Sequence, residues 1–453
     1  MSILSKITIG AAGLTALGFS AYAVAFIPTP LSTGIAPLTT VVSPESVTRS
    51  IVCAGDVVGY VGDSATISGI SSTTRVVSGG DITTDLAMDS TTNGSVITNS
   101  GDSLHVAATE SDSVHSDSVA GFLATECGDP VNDQWLVGGS TTTGRDTIVT
   151  VSNGSDVDAR IDLEIWGSTG KVDAPGSQGI VIPPKSQRSY SVAGFAPDEA
   201  SPAIHLVSNG AAVWATLQTT VVRGLVPGGL DRIGPVMEPT TSISFPVLHV
   251  PSEESIGPLL VDPSYTDVVA ALRFLAPGDT DATITITLDP YAEGDSQVVT
   301  ASIPAGATLD IPISELSEGD WAVSVESDQP IVAAARVGFH DTVSGVTDLA
   351  WASAAPAQTG IASVLVPTGA VLGLANFGAA DATVTIVSGG DIGENVVVPA
   401  HGNLLKPVGP GILSVTSNAP ISNSVFVLTR DGIATLRGLT APIDAANVVV
   451  IHG

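Results

Sequence analysis

The sequence predicts an all-β chain, in which an N-terminal signal-anchor helix is followed by tandem antiparallel Ig-like β-sandwich units. Three observations carry this expectation. Apolar Ile161, Leu163 and Ile165 alternate with Arg160, Asp162 and Glu164, the period-2 pattern of a strand with one buried face. Glycine and proline, 48 and 29 of the 453 residues, break such stretches into short strands. Finally, one order of signals occurs three times: an Asp-led alternating strand, a proline that ends the next strand, and a Ser-centred tetrad.

Residues 1–27 read as a signal peptide or transmembrane anchor. Ile7 to Ile27 is an uncharged apolar run of 21 residues behind Lys6, and a bilayer-spanning helix needs about 20. Ala21-Tyr22-Ala23 supplies the A-x-A site of a cleavable signal. The first reading gives a single-pass membrane protein with its C-terminal part extracellular, the second a protein secreted after cleavage behind Ala23. Both keep Lys6 inside. Residues 28–44, with Pro28, Pro30 and Pro37, read as an extended linker.

Residues 45–130 are expected to form a disulfide-bearing β domain. Cys53 and Cys127 are the two cysteines of the chain, and two lone cysteines in one exported segment most often pair. A zinc site is the weaker reading, because His105 and His115 stand at no recognisable zinc spacing from them. The Ser/Thr/Gly/Asp-rich stretch from 63 to 120 is expected to have short strands and a loose surface.

Three β-sandwich repeats follow, at 131–240, 241–360 and 361–453. Their alternating strands begin at Asp158, Asp281 and Asp381; their strand-ending prolines are Pro183, Pro304 and Pro399; their tetrads are centred on Ser208, Ser327 and Ser417. The spacing from Asp to Pro is 25, 23 and 18 residues, and from Pro to Ser again 25, 23 and 18. The onsets lie 123 and 100 residues apart, too long for a propeller blade and suited to one sandwich each. Proline lacks the amide donor, so it marks a turn or edge. The tetrads read as β-turns between the last two strands, with Asn209-Gly210 suited to a hairpin. Ile161, Leu163, Ile284, Ile286, Val384 and Ile386 are expected in the core.

Composition narrows function. Forty-five acidic against 15 basic residues give a net charge of −30, which disfavours nucleic acid and anionic membrane faces as partners. No nucleophile elbow, P-loop, dinucleotide fingerprint or zincin pair occurs. His105, Glu110, Asp112, His115 and Asp117 read as a solvated loop. The turn aspartates Asp156, Asp158, Asp279, Asp281 and Asp381, with Asn153, admit calcium as an alternative to bonding their own turn backbone. Trp166 continues the outward row of Arg160, Asp162 and Glu164 where sister repeats carry Asp289 and Gly389. It is the expected ligand contact. Trp214 has no alternation to give its direction.

The chain resembles an uncharacterised actinobacterial family of secreted or membrane-anchored proteins, a domain of unknown function. The resemblance rests on the N-terminal anchor, Cys53-Ala54-Gly55, Trp135 with Gly138 and Gly139, and the Ser327 to Ala333 segment. Ala54 stands where that family has proline, and the third repeat departs from the pattern between Ser417 and Ser422. The resemblance implies an envelope location and brings no chemistry with it. The expectation is therefore a non-catalytic, exported cell-envelope protein without cofactor or metal. Its partner is expected to be an envelope protein or cell-wall glycan, and its role that of a row of sandwiches holding a contact surface away from the membrane. A carbohydrate-binding protein and an envelope hydrolase are the alternatives.

Overall fold

The computed structural model describes residues 39–42, 48–60, 66–87, 94–99, 105–389, 392–440 and 449–452. The anchor expected at 1–27 and most of the linker expected at 28–44 lie outside them. Among the described residues no helix is long and apolar enough to cross a membrane. The chain forms two units. In one, built from residues 1–47 and 444–453, Thr39–Val42 pairs antiparallel with Val449–His452. The tail of the expected spacer is thus a paired strand.

The other unit, residues 48–443, is mostly β and made of many small antiparallel sheets. The same strand order appears in it three times. In the first repeat one sheet runs Asp133–Val137, Ala203–Gly210, Ala159–Gly167, with Ile180–Ile182 at its edge. The second sheet runs Ser186–Ser191, Arg145–Asn153, Trp214–Arg223, Val226–Ile233. The third repeat has the same arrangement from Ala362–Val366 to Ile433–Arg437. In each repeat the inward residues of both sheets share one hydrophobic cluster. Ile161, Leu163, Ile284, Ile286, Val384 and Ile386 all lie there, at 3% exposure or less. The period-2 reading selected the right face.

The tetrads do something other than expected. Ala203–Gly210 and Trp214–Arg223 belong to different sheets, so Ser208 to Gly210 leads an arch between sheets and no hairpin forms at Asn209-Gly210. In the second repeat Ser327 to Pro330 lies inside one 22-residue strand, Gly319–His340. Its first half pairs with Thr240–Val250 and Ala282–Pro290, and its second half with Ala271–Leu275 and Thr347–Ser353. Local turn chemistry fixes a change of direction; which sheet receives the next strand depends on partners far away in sequence.

The repeats are not strung in a row. The last strands of the three, Val226–Ile233, Thr347–Ser353 and Ile433–Arg437, pack with Ala120–Glu126 around a shared centre. These strands are buried on both faces. At the centre Asp348, fully buried, accepts hydrogen bonds from the backbone N–H of Phe122 (3.0 Å), Leu230 (2.9 Å) and Ile433 (3.1 Å). Gly121 and Gly432 hold positive φ beside it, and a Cβ on either would meet its carboxylate oxygens at 2.5 and 1.8 Å. Only glycine lets both backbones come this close.

Residues 48–130 contribute the disulfide and much of the centre. Cys53 and Cys127 are bonded and buried. Trp214, whose direction the sequence left open, is 1% exposed and packs on Val52, Leu86 and Val96 of this segment. Arg232 donates to the carbonyls of Gly55 and Asp56 at 2.7 and 2.5 Å. Glu110, fully buried, takes Arg75 at 2.6 Å and the Gly55 N–H at 2.9 Å.

Candidate functional site

The seam between the first and second repeats holds a groove of about 460 Å3. Strand register builds it. In the second repeat Arg273 on Ala271–Leu275 sits directly across from Asp310 on Thr308–Pro312, and Arg336 sits across from Trp351. A short 3-10 turn, Pro263–Val268, started by proline and capped by Asp262, presents Asp267. The first repeat adds Arg145 at the start of its strand Arg145–Asn153, and Arg223 at the end of Trp214–Arg223.

Each carboxylate is already engaged. Arg273 grips Asp310 in a two-pronged pair, Nε to Oδ1 at 2.7 Å and Nη2 to Oδ2 at 2.9 Å, while Ser201 Oγ donates to Oδ2 at 3.0 Å. Arg273 also reaches the first repeat, donating to Gly139 O at 2.8 Å and Ala200 O at 3.1 Å. Asp267 accepts from Arg223 at 2.5 Å and from Arg145 at 3.0 Å. Burial would raise the Asp310 carboxyl, but the charge and hydrogen bonds of Arg273 outweigh it and hold it below the usual range.

Arg336 is different. It lines the groove with its guanidinium carbon 5.7 Å from the Trp351 ring centre, on which Arg273 also lies at 4.6 Å. Its Nη2 donates to the Val269 carbonyl at 3.2 Å, with a longer approach to Thr266 O. Its Nε is buried and has no hydrogen-bond partner among the described residues. Burial, then the neighbouring charge of Arg273, lowers its pKa, yet a guanidinium stays charged in proteins. Four guanidinium groups therefore surround two carboxylates here.

Trp166, the expected contact, is 6% exposed and buried. The direction read from alternation is right: Trp166 shares the outer face of its sheet with Glu164 and His205. That face is covered there. Trp135 lies 5.1 Å from Trp166 and stacks on His205 at 4.2 Å, and Lys171 sits 5.1 Å above the Trp166 ring while bonding Glu164 at 2.6 Å. Lys171's hydrogen bond holds the Glu164 carboxyl below its usual value. Alternation places Trp166 on the outer face but carries no sign of the aromatic partners that converge there and bury it.

Glu110 is a buried structural anion and Asp112 bonds Ser71 at 2.5 Å, while His115 approaches Asp431 at 3.4 Å; the segment 107–115 is a strand and no solvated loop. Asp281 and Asp381 accept from the backbone N–H of Ala305 and Ala400, at 2.8 and 2.9 Å, so they brace the proline turn of the next strand. Asn153 donates to the carbonyls of Val157, Ile182 and Pro183, and Asn376 does the same to Ala380, Val398 and Pro399. Among the described residues, the group of three close metal-type donors is Cys53, Glu110 and Cys127, whose two sulfurs are bonded to each other. The seam groove was missed, although arginine inside the apolar runs Ala271–Leu275 and Ala333 to Val337 is a readable sign of a buried, partnered charge.

Fold and site together define a β-rich, disulfide-bearing protein whose three repeats close on one polar centre. Residues 80–399 match a family of unknown function, DUF5719, and the chain belongs to that family. The match contains Trp135, Gly138, Gly139 and Ser327 to Ala333, and leaves out Cys53-Ala54-Gly55. Among solved structures, Thermotoga maritima 1070 is 18% identical, with 26% of this chain and 95% of that one covered and a TM-score of 0.22. The chicken CNTN1 FN1–FN3 domains are 10% identical, with 69% of this chain and all of that one covered and a TM-score of 0.13. No curated protein matches.

Proposed function

We propose that the protein is a non-catalytic component of the cell envelope, exported and held at the membrane by its N-terminal segment. In this reading the disulfide-bearing segment 45–130 and three Ig-like sandwich units at 131–240, 241–360 and 361–453 present an interaction surface to an envelope protein or cell-wall glycan. The supporting observation is the Asp348 centre, where one buried carboxylate ties together backbone from residues 122, 230 and 433. A joint of this kind suits a scaffold that must hold its units in fixed relation. The buried Cys53–Cys127 bond fits an oxidising compartment, and the charge of −30 fits a protein that stays clear of anionic surfaces.

The test uses the full chain with a C-terminal tag, in cells whose outer layers have been opened. Added protease should reach the repeats, the protein should stay with membranes after high-salt washing, and tag capture should retain an envelope component. Complete protection of the repeats would overturn the reading, as would recovery with the cytosol.

A further inference from the structure

We propose that the seam groove is a binding site for an oxyanion, a phosphate or carboxylate group. In a chain of 45 acidic and 15 basic residues, four arginines gather around two aspartates, which leaves an excess of two positive charges. Asp267 is shared by Arg145 and Arg223, and Asp310 is held by Arg273 and Ser201. Neither forms a hydrogen bond with Arg336 among the described residues, although both act on its charge. The Arg336 Nε is closed off inside the wall, so a ligand in the groove that Arg336 lines would meet its η nitrogens, and a guanidinium at a groove wall without a carboxylate of its own calls for an explanation.

The missing partner has a defined chemistry. A guanidinium presents parallel donors that match the oxygens of a carboxylate or phosphate, and such pairs are stronger than neutral hydrogen bonds. The same groove is lined by the hydroxyl-bearing Ser140, Thr142, Thr219 and Thr266, which can donate to the remaining oxygens. The Trp351 ring lies 4.6 Å from the Arg273 guanidinium and 5.7 Å from that of Arg336 and lines the same groove. A volume of about 460 Å3 lies within the range of small-molecule pockets, roughly 300–1,000 Å3, so there is room for the anionic group to be carried on a larger polyol. The inference rests on the groove alone and does not depend on the compartment.

Calorimetric titration of the full chain at constant ionic strength tests it, with inorganic phosphate, glycerol 3-phosphate and acetate as probes. At least one should bind saturably, and Arg336→Gln should weaken that binding at least tenfold while the exposed-site control Arg188→Gln leaves it unchanged. Tighter binding of glycerol 3-phosphate than of inorganic phosphate assigns the group to a carried phosphate, the reverse order to the free ion, and preference for acetate to a carboxylate. If Arg336→Gln does not fold, Thr142→Asp at the partly exposed rim places a negative charge in the groove and should cause the same loss. The absence of saturable binding by all three probes, or equal affinity in the wild type and the folded groove variant, overturns the proposal.

Discussion

Asp231 should make the fold lose stability as pH rises through the weakly acidic range. It is 1% exposed at the centre, where its Oδ2 accepts the Trp351 N–H at 2.7 Å and its Oδ1 has no partner among the described residues. Burial pushes its carboxyl up to about 7, against an ordinary 3.8, and the charge of Glu126 adds to the effect, while the Trp351 and Arg232 backbone N–H groups and the Arg232 charge oppose it. The folded state therefore binds this proton more tightly than the unfolded chain does. The resulting stabilisation is full below the unfolded value near 3.8 and is lost by the time pH passes about 7. A shift of about three units corresponds to roughly 4 kcal/mol. Asp231→Asn keeps an acceptor for Trp351 and cannot ionise. Urea unfolding of both proteins between pH 4 and 7.5 should show the variant gaining up to about 4 kcal/mol relative to wild type as pH rises, with the titrating groups that do not interact with Asp231 cancelling in the difference. A difference constant within about 0.5 kcal/mol across that range would refute the reasoning.

Two further substitutions test the packing. Trp166→Ala should destabilise by about 3–5 kcal/mol, the usual cost of emptying a buried aromatic site; a urea midpoint corresponding to less than about 1 kcal/mol of loss would return Trp166 to the surface. Asn376→Ala removes one side chain that serves three carbonyls and should cost about 2–4 kcal/mol at roughly 1 kcal/mol per bond, read by calorimetry, whereas an unchanged melting temperature would mean that the third-repeat turn holds without it.

Much of the architecture is legible because one-sided burial leaves a period of two. Ile284, Ile286 and Leu288 face inward and Thr283, Thr285 and Thr287 do not, and proline after Ile303 and Val398 ends strands where a missing amide donor requires it. The disulfide is legible because the chain has only two cysteines to pair. Alternation fails where both faces are buried, since Leu349 to Ala352 and Phe122 to Ala124 then read as plain apolar runs. Those are the strands that form the shared centre. Trp166 shows the complementary error: the side of the sheet it occupies follows from period, but its exposure depends on Trp135 and Lys171 arriving from elsewhere in the chain.

The sequence by itself determined what depends on near neighbours and totals: an acidic β chain, three copies of one strand pattern, a cysteine pair, and the inward face of each alternating strand. The tertiary structure decided what depends on residues from a few tens to more than a hundred positions apart. It turned the Ser208 and Ser417 tetrads into arches between sheets and ran one strand through the Ser327 tetrad. It also closed the repeats on Asp348 and brought Arg145, Arg223, Arg273 and Arg336 to one seam. The physical reason is that a side-chain period reports a residue's local environment as buried or exposed, whereas pairing and ion contacts are set by whichever distant groups satisfy a buried donor or acceptor, and no local pattern names them.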